Sequence, residues 1–388
     1  MLLRLTLTRH PDGIAVDVDR LIVLLIVLYY KEVAMGSGPM VALHSPPRKD
    51  PKMIDQPTWG MPFPGAEIAR EAEQAGVAAF CVGEFANRDA YVSLAEVVAE
   101  TESARVGPAI AYAFTRSPWA HAASIRQLAT RASGRLFLGL GAGTRRMNTD
   151  WFGTEFQPVL SRMEELIHAT RAFLTAENMK TIRFEGEHYQ IKAAIQAPVM
   201  GPLDVPILIG AFNRGMLGVV GRVADGVIGH GLYTDRYWAE RVNPRLDESA
   251  RKANRDPDHL SRWGWLITSI DNDDPERAKT DARRMIAFYL TVKTYDVLVD
   301  LHGWQEPVST IRSAFKKGDT DAMAAAVTDE MLDAIAIYGN LEEARQRLSA
   351  RTHLPQLCFS SPPSFLVSNR RRALYARGSI QLFGSAAS

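Results

Sequence analysis

Eight short apolar runs, each followed by a stretch with helical spacing, recur along this chain from Met40 to Leu382. The runs are Met40–His44, Val77–Val82, Ala104–Ala113, Arg135–Leu140, Ile207–Ala211, Gly226–His230, Trp263–Ile270 and Leu357–Ser360. The helical stretches include Ala66–Ala75, Tyr91–Ser103, Pro118–Thr130, Val159–Ala176, Arg214–Val223, Asp235–Ala253, Asp274–Asp300, Ile311–Ile337 (one or two helices), Leu341–Arg351 and Asn369–Leu382. Strict alternation of strand and helix implies a parallel sheet with helices outside it. Eight units over roughly 350 residues point to a (β/α)8 TIM barrel with insertions, for which about 200 to over 400 residues is normal. An open doubly wound sheet is the alternative, and it has no reason to stop at eight. No change of composition marks a linker, so residues 38–388 are expected to form one barrel domain. Thr181–Pro206, with Phe184, Tyr189, Ile191 and several prolines, reads as an insertion carrying a small hairpin.

The fourth unit is the sharpest. Leu136, Phe137, Leu138 and Leu140 make a near-continuous apolar run after a turn at Ser133-Gly134, and the run opens into Gly141-Ala-Gly143-Thr144. A strand buried on both faces has this composition. Small residues beyond it let a backbone approach something flat or anionic, although a glycine-rich turn with no ligand reads the same way. The loop is no dinucleotide fingerprint, because position 146 is Arg where the third glycine would stand.

The totals exclude several classes. With 45 Lys and Arg against 44 Asp and Glu, the net charge is +1 and gives no basic face for nucleic acid. The two cysteines, Cys81 and Cys358, build neither a metal site nor a disulfide framework, which favours a reducing, cytoplasmic setting. Leu21–Tyr30 is a ten-residue apolar block, whereas a bilayer span needs roughly 20 residues. Asp12, Asp17 and Asp19 precede it, unlike the basic start of a signal peptide. Residues 1–37 therefore read as an N-terminal extension, with Met35 or Met40 a candidate start, and stable membrane insertion is not expected.

In a barrel the site lies where the strands end. Those ends offer His44, Glu84 with Asn87, Ala109–Tyr112, Gly141–Thr144, Gly210–Asn213, His230, Thr268 and Ser360. There is no glycosidase pair of carboxylates, no H-E-x-x-H and no strand-end lysine for a Schiff base. A mouth so poor in reactive groups points to a cofactor that performs the hard chemistry. His44 and His230 are the histidines placed to pass a proton near neutral pH, although a lone histidine at a strand end is more often a packed, hydrogen-bonded residue. Gly210-Ala-Phe-Asn213-Arg214-Gly215 leads into a helix, and free N–H groups at such a start suit a phosphate. Asn213 has a competing role as the helix cap, as Asp89 has before Tyr91.

Five segments in order carry a resemblance. Glu84-Phe-Ala-Asn-Arg-Asp-Ala-Tyr-Val-Ser-Leu94, Thr115-Arg-Ser-Pro118, Ser133-Gly-Arg-Leu-Phe-Leu-Gly-Leu-Gly-Ala-Gly143, Gly221-Arg-Val-Ala-Asp-Gly-Val-Ile228 and the following His230 resemble the luciferase-like monooxygenase superfamily. The Asn87-Arg-Asp-Ala-Tyr91 and Thr-Arg-x-Pro runs are similar to the branch that uses the deazaflavin coenzyme F-420, in particular to methylenetetrahydromethanopterin reductase. Arg284-Met-Ile-Ala-Phe-Tyr289, Leu301-His-Gly-Trp304 and Pro362-Pro-Ser resemble actinobacterial deazaflavin oxidoreductases. The resemblance implies a deazaflavin ring across the strand ends, a homodimer, and a bulge with a non-prolyl cis peptide within Pro108–Ala111. Ala109, Ile110 and Ala111 would back the ring. Asn87 would lie near its pyrimidine side, and Gly141, Gly143, Thr144, Gly210, Ala211, Asn213 and Gly215 would meet the rest of the cofactor. Glu84, His44 or His230 would move the proton that accompanies hydride transfer to or from a small organic substrate. No metal is implied. Phe85 stands where sugar-phosphate dehydrogenase relatives keep a histidine, and Thr144 where they keep an acid, which argues against that substrate. A reduced-FMN monooxygenase is the alternative, and a cofactor-binding barrel without turnover is a third reading.

Overall fold

The computed structural model describes residues 8–10, 13–15, 58–156, 158–177, 179–194 and 201–384. Its main sheet is a barrel with eight strand positions, all neighbours parallel. In chain order they are Thr58–Pro62, Ala79–Val82, a third strand in two pieces (Arg105–Pro108 and Ala111–Tyr112), Leu138–Gly141, Ile207–Gly210, Gly226–Gly229, Ser261–Ile270 and Leu357–Ser361. The eighth strand pairs with the first, Cys358 opposite Trp59. The ring closes at the third and fourth strands, where Phe137 N–H donates to Val106 O and Ala111 lies opposite Leu140. The expected (β/α)8 architecture is therefore present, and strands two to eight stand where the apolar runs placed them.

The first strand does not. Met40–His44 lies outside the described residues, and Thr58–Pro62 holds the first position. Thr58–Pro62 belongs to none of the eight apolar runs. It works as a strand because Trp59 stacks outward on Phe383 (centroids 3.7 Å apart) and Met61 is buried, while Gly60 faces inward. A Cβ on Gly60 would stand 2.8 Å from the Phe359 ring, so the inward position must be empty for Phe359 to fill it. The barrel interior is packed by Phe137, Trp263 and Phe359 with Ala79, Cys81, Leu208 and Ile228. Burying each large ring contributes roughly 1.5–3 kcal/mol, and small residues on neighbouring strands make the room.

Helix boundaries follow their caps. Asp89 accepts from Tyr91 N–H and Val92 N–H at the start of Ala90–Glu100. Ser117 caps Pro118–Ala129, whose first position holds the proline. Asn340 and Glu343 form a capping box on Leu341–Ser349. Two expectations fail between strands seven and eight. The long helix read over Asp274–Asp300 stops at Leu290, and a 3-10 turn, Lys293–Tyr295, precedes Asp296–His302. Thr291 and Val292 are β-branched and restrict the rotamers that a helix needs. The helical reading of Ile311–Ile337 ends in a strand, Ala336–Gly339, which pairs with Ile267–Ile270 outside the barrel. The insertion after the fourth helix carries the expected hairpin, Thr181–Glu185 with Gln190–Ala194. Glu165 holds its turn, accepting from the N–H groups of Glu187, His188 and Tyr189. Those bonds occupy the carboxylate of the one described group, Glu165, Glu187 and His188, close enough to hold a metal ion. Among the described residues no helix is long and apolar enough to cross a membrane; Leu21–Tyr30 lies outside them.

Candidate active site

The third strand breaks at Ala109-Ile110, which are joined by a non-prolyl cis peptide inside the expected window. Beyond the break the Ile110 side chain lies across the barrel mouth. A Cβ built on Gly141 would come within 2.7 Å of Ile110 Cδ1, and one on Gly210 within 2.9 Å of Ile110 Cγ2. These two glycines were expected to offer bare backbone to a cofactor. Instead they give way to Ile110, and the floor of the mouth is the isoleucine itself.

That floor is tied to its neighbours. Glu84 N–H donates to Ile110 O at 3.0 Å, and Glu84 Oε2 accepts from Tyr112 N–H at 2.7 Å. Arg116 pairs with both Glu84 oxygens and with Asp89. The pair is sheltered, with 8% of the Glu84 side chain and 18% of Arg116 exposed. Burial opposes the charge on Arg116, but the hydrogen bonds and charges of Glu84 and Asp89 outweigh it and raise its pKa. Buried His121 contacts the carbonyl of Ala113, the residue after Tyr112, through Nε2 (3.1 Å) and Tyr91 Oη through Nδ1. The carbonyl can only accept, so Nε2 carries the hydrogen and Tyr91 donates to Nδ1. Burial lowers the His121 pKa to about 4, keeping the ring neutral. Glu84 is thus a fully partnered anchor, a poor position for shuttling protons. Asn87 sits exposed at the tip of the tight turn formed by Phe85 and Arg88.

The fourth-strand loop is held from below. Buried Asn148 donates through Nδ2 to Ala142 O (2.8 Å) and Thr144 O (2.9 Å). Gly143 is left-handed at φ 68°, and Thr144 Oγ1 accepts from Met147 N–H. The fifth-strand loop is fixed by Tyr233, which donates to Ala211 O, and Tyr237, which donates to Phe212 O. Asn213 stands at the helix start without capping it; its Nδ2 reaches Thr294 O at 3.4 Å and its Oδ1 has no partner among the described residues. Gly215 serves packing, since a Cβ there would lie 3.0 Å from Leu160. Arg214 is mostly exposed and pairs with Glu248.

His230 stands at the sixth strand end among Tyr289, Tyr295 and Phe212, with ring centroids 4.5, 4.7 and 5.8 Å away. It keeps a little surface, yet burial lowers its pKa to about 3. Burial disfavours the imidazolium, so the ring stands here as a neutral hydrogen-bonding group. His44 lies outside the described residues. Sequence reasoning missed Asn148, His121 and Tyr295. Only His121 had a signal, a polar residue on the otherwise apolar face of Pro118–Ala129.

The sequence profile of the luciferase-like monooxygenase family matches residues 62–355. The 5,10-methylenetetrahydromethanopterin reductase of Methanolobus tindarius is 31% identical over 287 residues, 73% of this chain and 85% of that protein. Among solved structures, the coenzyme F-420-dependent tetrahydromethanopterin reductase of Methanopyrus kandleri superposes with a TM-score of 0.68 at 21% identity, covering 83% of this chain and 97% of that one. The oxygenating constituent of a Pseudomonas putida diketocamphane monooxygenase, solved with FMN, superposes with a TM-score of 0.58 at 12% identity, covering 84% and 98%. With a barrel closed at eight strands, a mouth floored by a bulged third strand, and a family profile spanning most of its length, this chain is an enzyme of the luciferase-like monooxygenase family.

Proposed function

We propose that this enzyme is an oxidoreductase that uses the deazaflavin coenzyme F-420 to pass a hydride to or from a small organic substrate. The observation that carries the reading is the Ile110 side chain spread over Gly141 and Gly210, an apolar floor at the strand ends with its backbone pinned by Glu84. Such a floor suits one face of a flat ring and keeps water from it. The mouth also fits a cofactor tail. Asn213 Oδ1 is buried without a partner, and the N–H groups that open Arg214–Val223 are free of a side-chain cap. Ala142–Thr144, held by Asn148, would flank the same side. A bound deazaflavin supplies two-electron chemistry. The chain supplies the floor, the fixed loops and a hydrogen-bonding rim. The named cofactor of the reductase from Methanopyrus kandleri supports this choice.

The FMN bound in the diketocamphane monooxygenase supports the second reading, a reduced-FMN monooxygenase on the same barrel. Titrating the purified protein with each cofactor and following ring fluorescence separates them. Saturable binding of coenzyme F-420 with weak FMN binding is expected; tight FMN binding without a deazaflavin response would reverse the order. Binding with no turnover of any substrate would favour a non-catalytic barrel.

A further inference from the structure

The two nitrogens of His230 have separate tasks. Leu232 N–H donates to Nδ1 at 3.2 Å, so Nδ1 carries the lone pair and the ring hydrogen sits on Nε2. Nε2 lies 3.1 Å from Tyr295 Oη and donates to it. The phenol oxygen accepts that bond and keeps its own hydrogen, for which the described residues provide no acceptor. Burial raises the Tyr295 pKa, so the hydrogen stays in place at neutral pH. The segment bearing Tyr295 is tied down on both sides. Asn213 Nδ2 donates to Thr294 O, while Arg312 donates to Leu290 O and pairs with Asp296. Tyr295 is therefore a donor held in place beside His230 at the end of the sixth strand.

The surroundings say what it is aimed at. The sheltered ionisable residues where the described strands end include Glu84, His230 and Asp271. Glu84 is neutralised by Arg116, Asp271 pairs with Arg371, and His230 is uncharged. None of these three offers an unmatched charge to a phosphate or carboxylate of a substrate, and the cations on the loops beyond them, Arg88, Arg145 and Lys293, are exposed to solvent. Aromatic groups are plentiful instead. Tyr112 packs on Phe152 with centroids 5.0 Å apart, and Phe85 on Trp151 at 5.7 Å. Phe85 and Trp151 are more than half exposed, the pattern of an apolar entrance.

We infer that the site takes an uncharged, largely aromatic or apolar molecule with one hydrogen-bond-accepting oxygen or nitrogen, and that the Tyr295 hydroxyl, aimed by His230, grips that atom. The inference rests on the reading of the mouth as an oxidoreductase site, because it assigns the substrate class of that same place. Three related probes test it: acetophenone, ethylbenzene, which lacks the acceptor, and 4-acetylbenzoate, which adds a charge. Binding is measured by calorimetry on the full-length protein, with and without coenzyme F-420. Acetophenone is expected to bind about tenfold more tightly than 4-acetylbenzoate. Tyr295→Phe should weaken acetophenone about fivefold to tenfold, the worth of one hydrogen bond of about 1 kcal/mol, and leave ethylbenzene unchanged. His230→Phe should reproduce that selective loss, as a positioning residue would. Unchanged ethylbenzene binding shows in the same experiment that the variants are folded. Equal losses for ketone and hydrocarbon, no loss for either, tighter 4-acetylbenzoate binding, or no binding of the ketone would each overturn the inference. Failure of coenzyme F-420 to bind, with the ketone pattern intact, would instead overturn only the choice of cofactor.

Discussion

Glu84 and Arg116 meet in a two-point ion pair under the end of the third strand, and the same carboxylate accepts the N–H of Tyr112 beyond the Ala109-Ile110 break. One sheltered charge pair thus sets the height of the floor on which the site is built. Removing Arg116 leaves Glu84 charged and sheltered, while removing Glu84 leaves Arg116 paired with Asp89 alone. Glu84→Gln is expected to cost about 3 kcal/mol of stability and to weaken cofactor binding at least tenfold. If Glu84 only positions Ile110, the pH dependence of turnover stays that of the parent protein. A lost ionisation in the pH profile would return Glu84 to the role of proton carrier.

Ile110 and its two glycines make a separate test. Gly141→Ala places a methyl group 2.7 Å from Ile110 Cδ1, and overpacking of this kind costs about 1–3 kcal/mol. In an Ile110→Ala background, which lacks both Cδ1 and the equally close Cγ1, the same glycine change should cost little, a non-additive pair in a double-mutant cycle. Thermal or urea unfolding of the four proteins measures it. Additive losses would mean that the glycine and the isoleucine do not share the space.

Asn148 was invisible as a functional residue, yet it binds two carbonyls of the fourth-strand loop. Asn148→Ala should cost about 1–3 kcal/mol for the acceptors left buried. It should also speed amide hydrogen exchange at Ala142–Thr144 while the opposite side of the barrel keeps its protection. Unchanged exchange in that loop would contradict the role.

Acid should destabilise the fold through its buried histidines. His121 and His230 have pKa values lowered by burial to about 4 and about 3, against 6.5 for the free side chain. Below pH 6.5 the unfolded chain therefore takes up protons that the folded chain refuses. Stability is full above pH 6.5 and falls as the pH drops toward the folded values, by up to about 1.4 kcal/mol per pH unit for each group. Urea unfolding at pH 7 and pH 5 reads the slope, and His121→Gln should flatten it. A slope unaffected by that change would show that His121 titrates normally.

How far the sequence reaches depends on what each residue signals. Strands such as Ala79–Val82 and Leu138–Gly141 are buried on both faces, and continuous apolar runs announce that. Thr58–Pro62 gave no such run, because its inward residue is a glycine that makes room for Phe359 from another strand. Ala336–Gly339 was concealed in a helical stretch, since a four-residue apolar run fits either period. The ends of strands two to eight lie where the sequence put them, and the surroundings of their residues were less legible. Gly141 and Gly210 read as bare backbone, and only three-dimensional packing shows Ile110 covering them. His230 read as a packed residue or a proton carrier, and its burial and its bond from Leu232 favour the packed, neutral ring. Tyr295 is 65 residues from its partner, beyond any local pattern.

A crystal structure of the protein soaked with coenzyme F-420 tests the central claim most directly. The deazaflavin ring should lie in van der Waals contact with Ile110 at the ends of the third to fifth strands, with its tail toward Asn213 and Ala142–Thr144. A ring bound elsewhere, for example in the cavity of about 420 Å³ beside Asp271, Arg370 and Arg377, would contradict the claim, as would a mouth left empty at saturating cofactor.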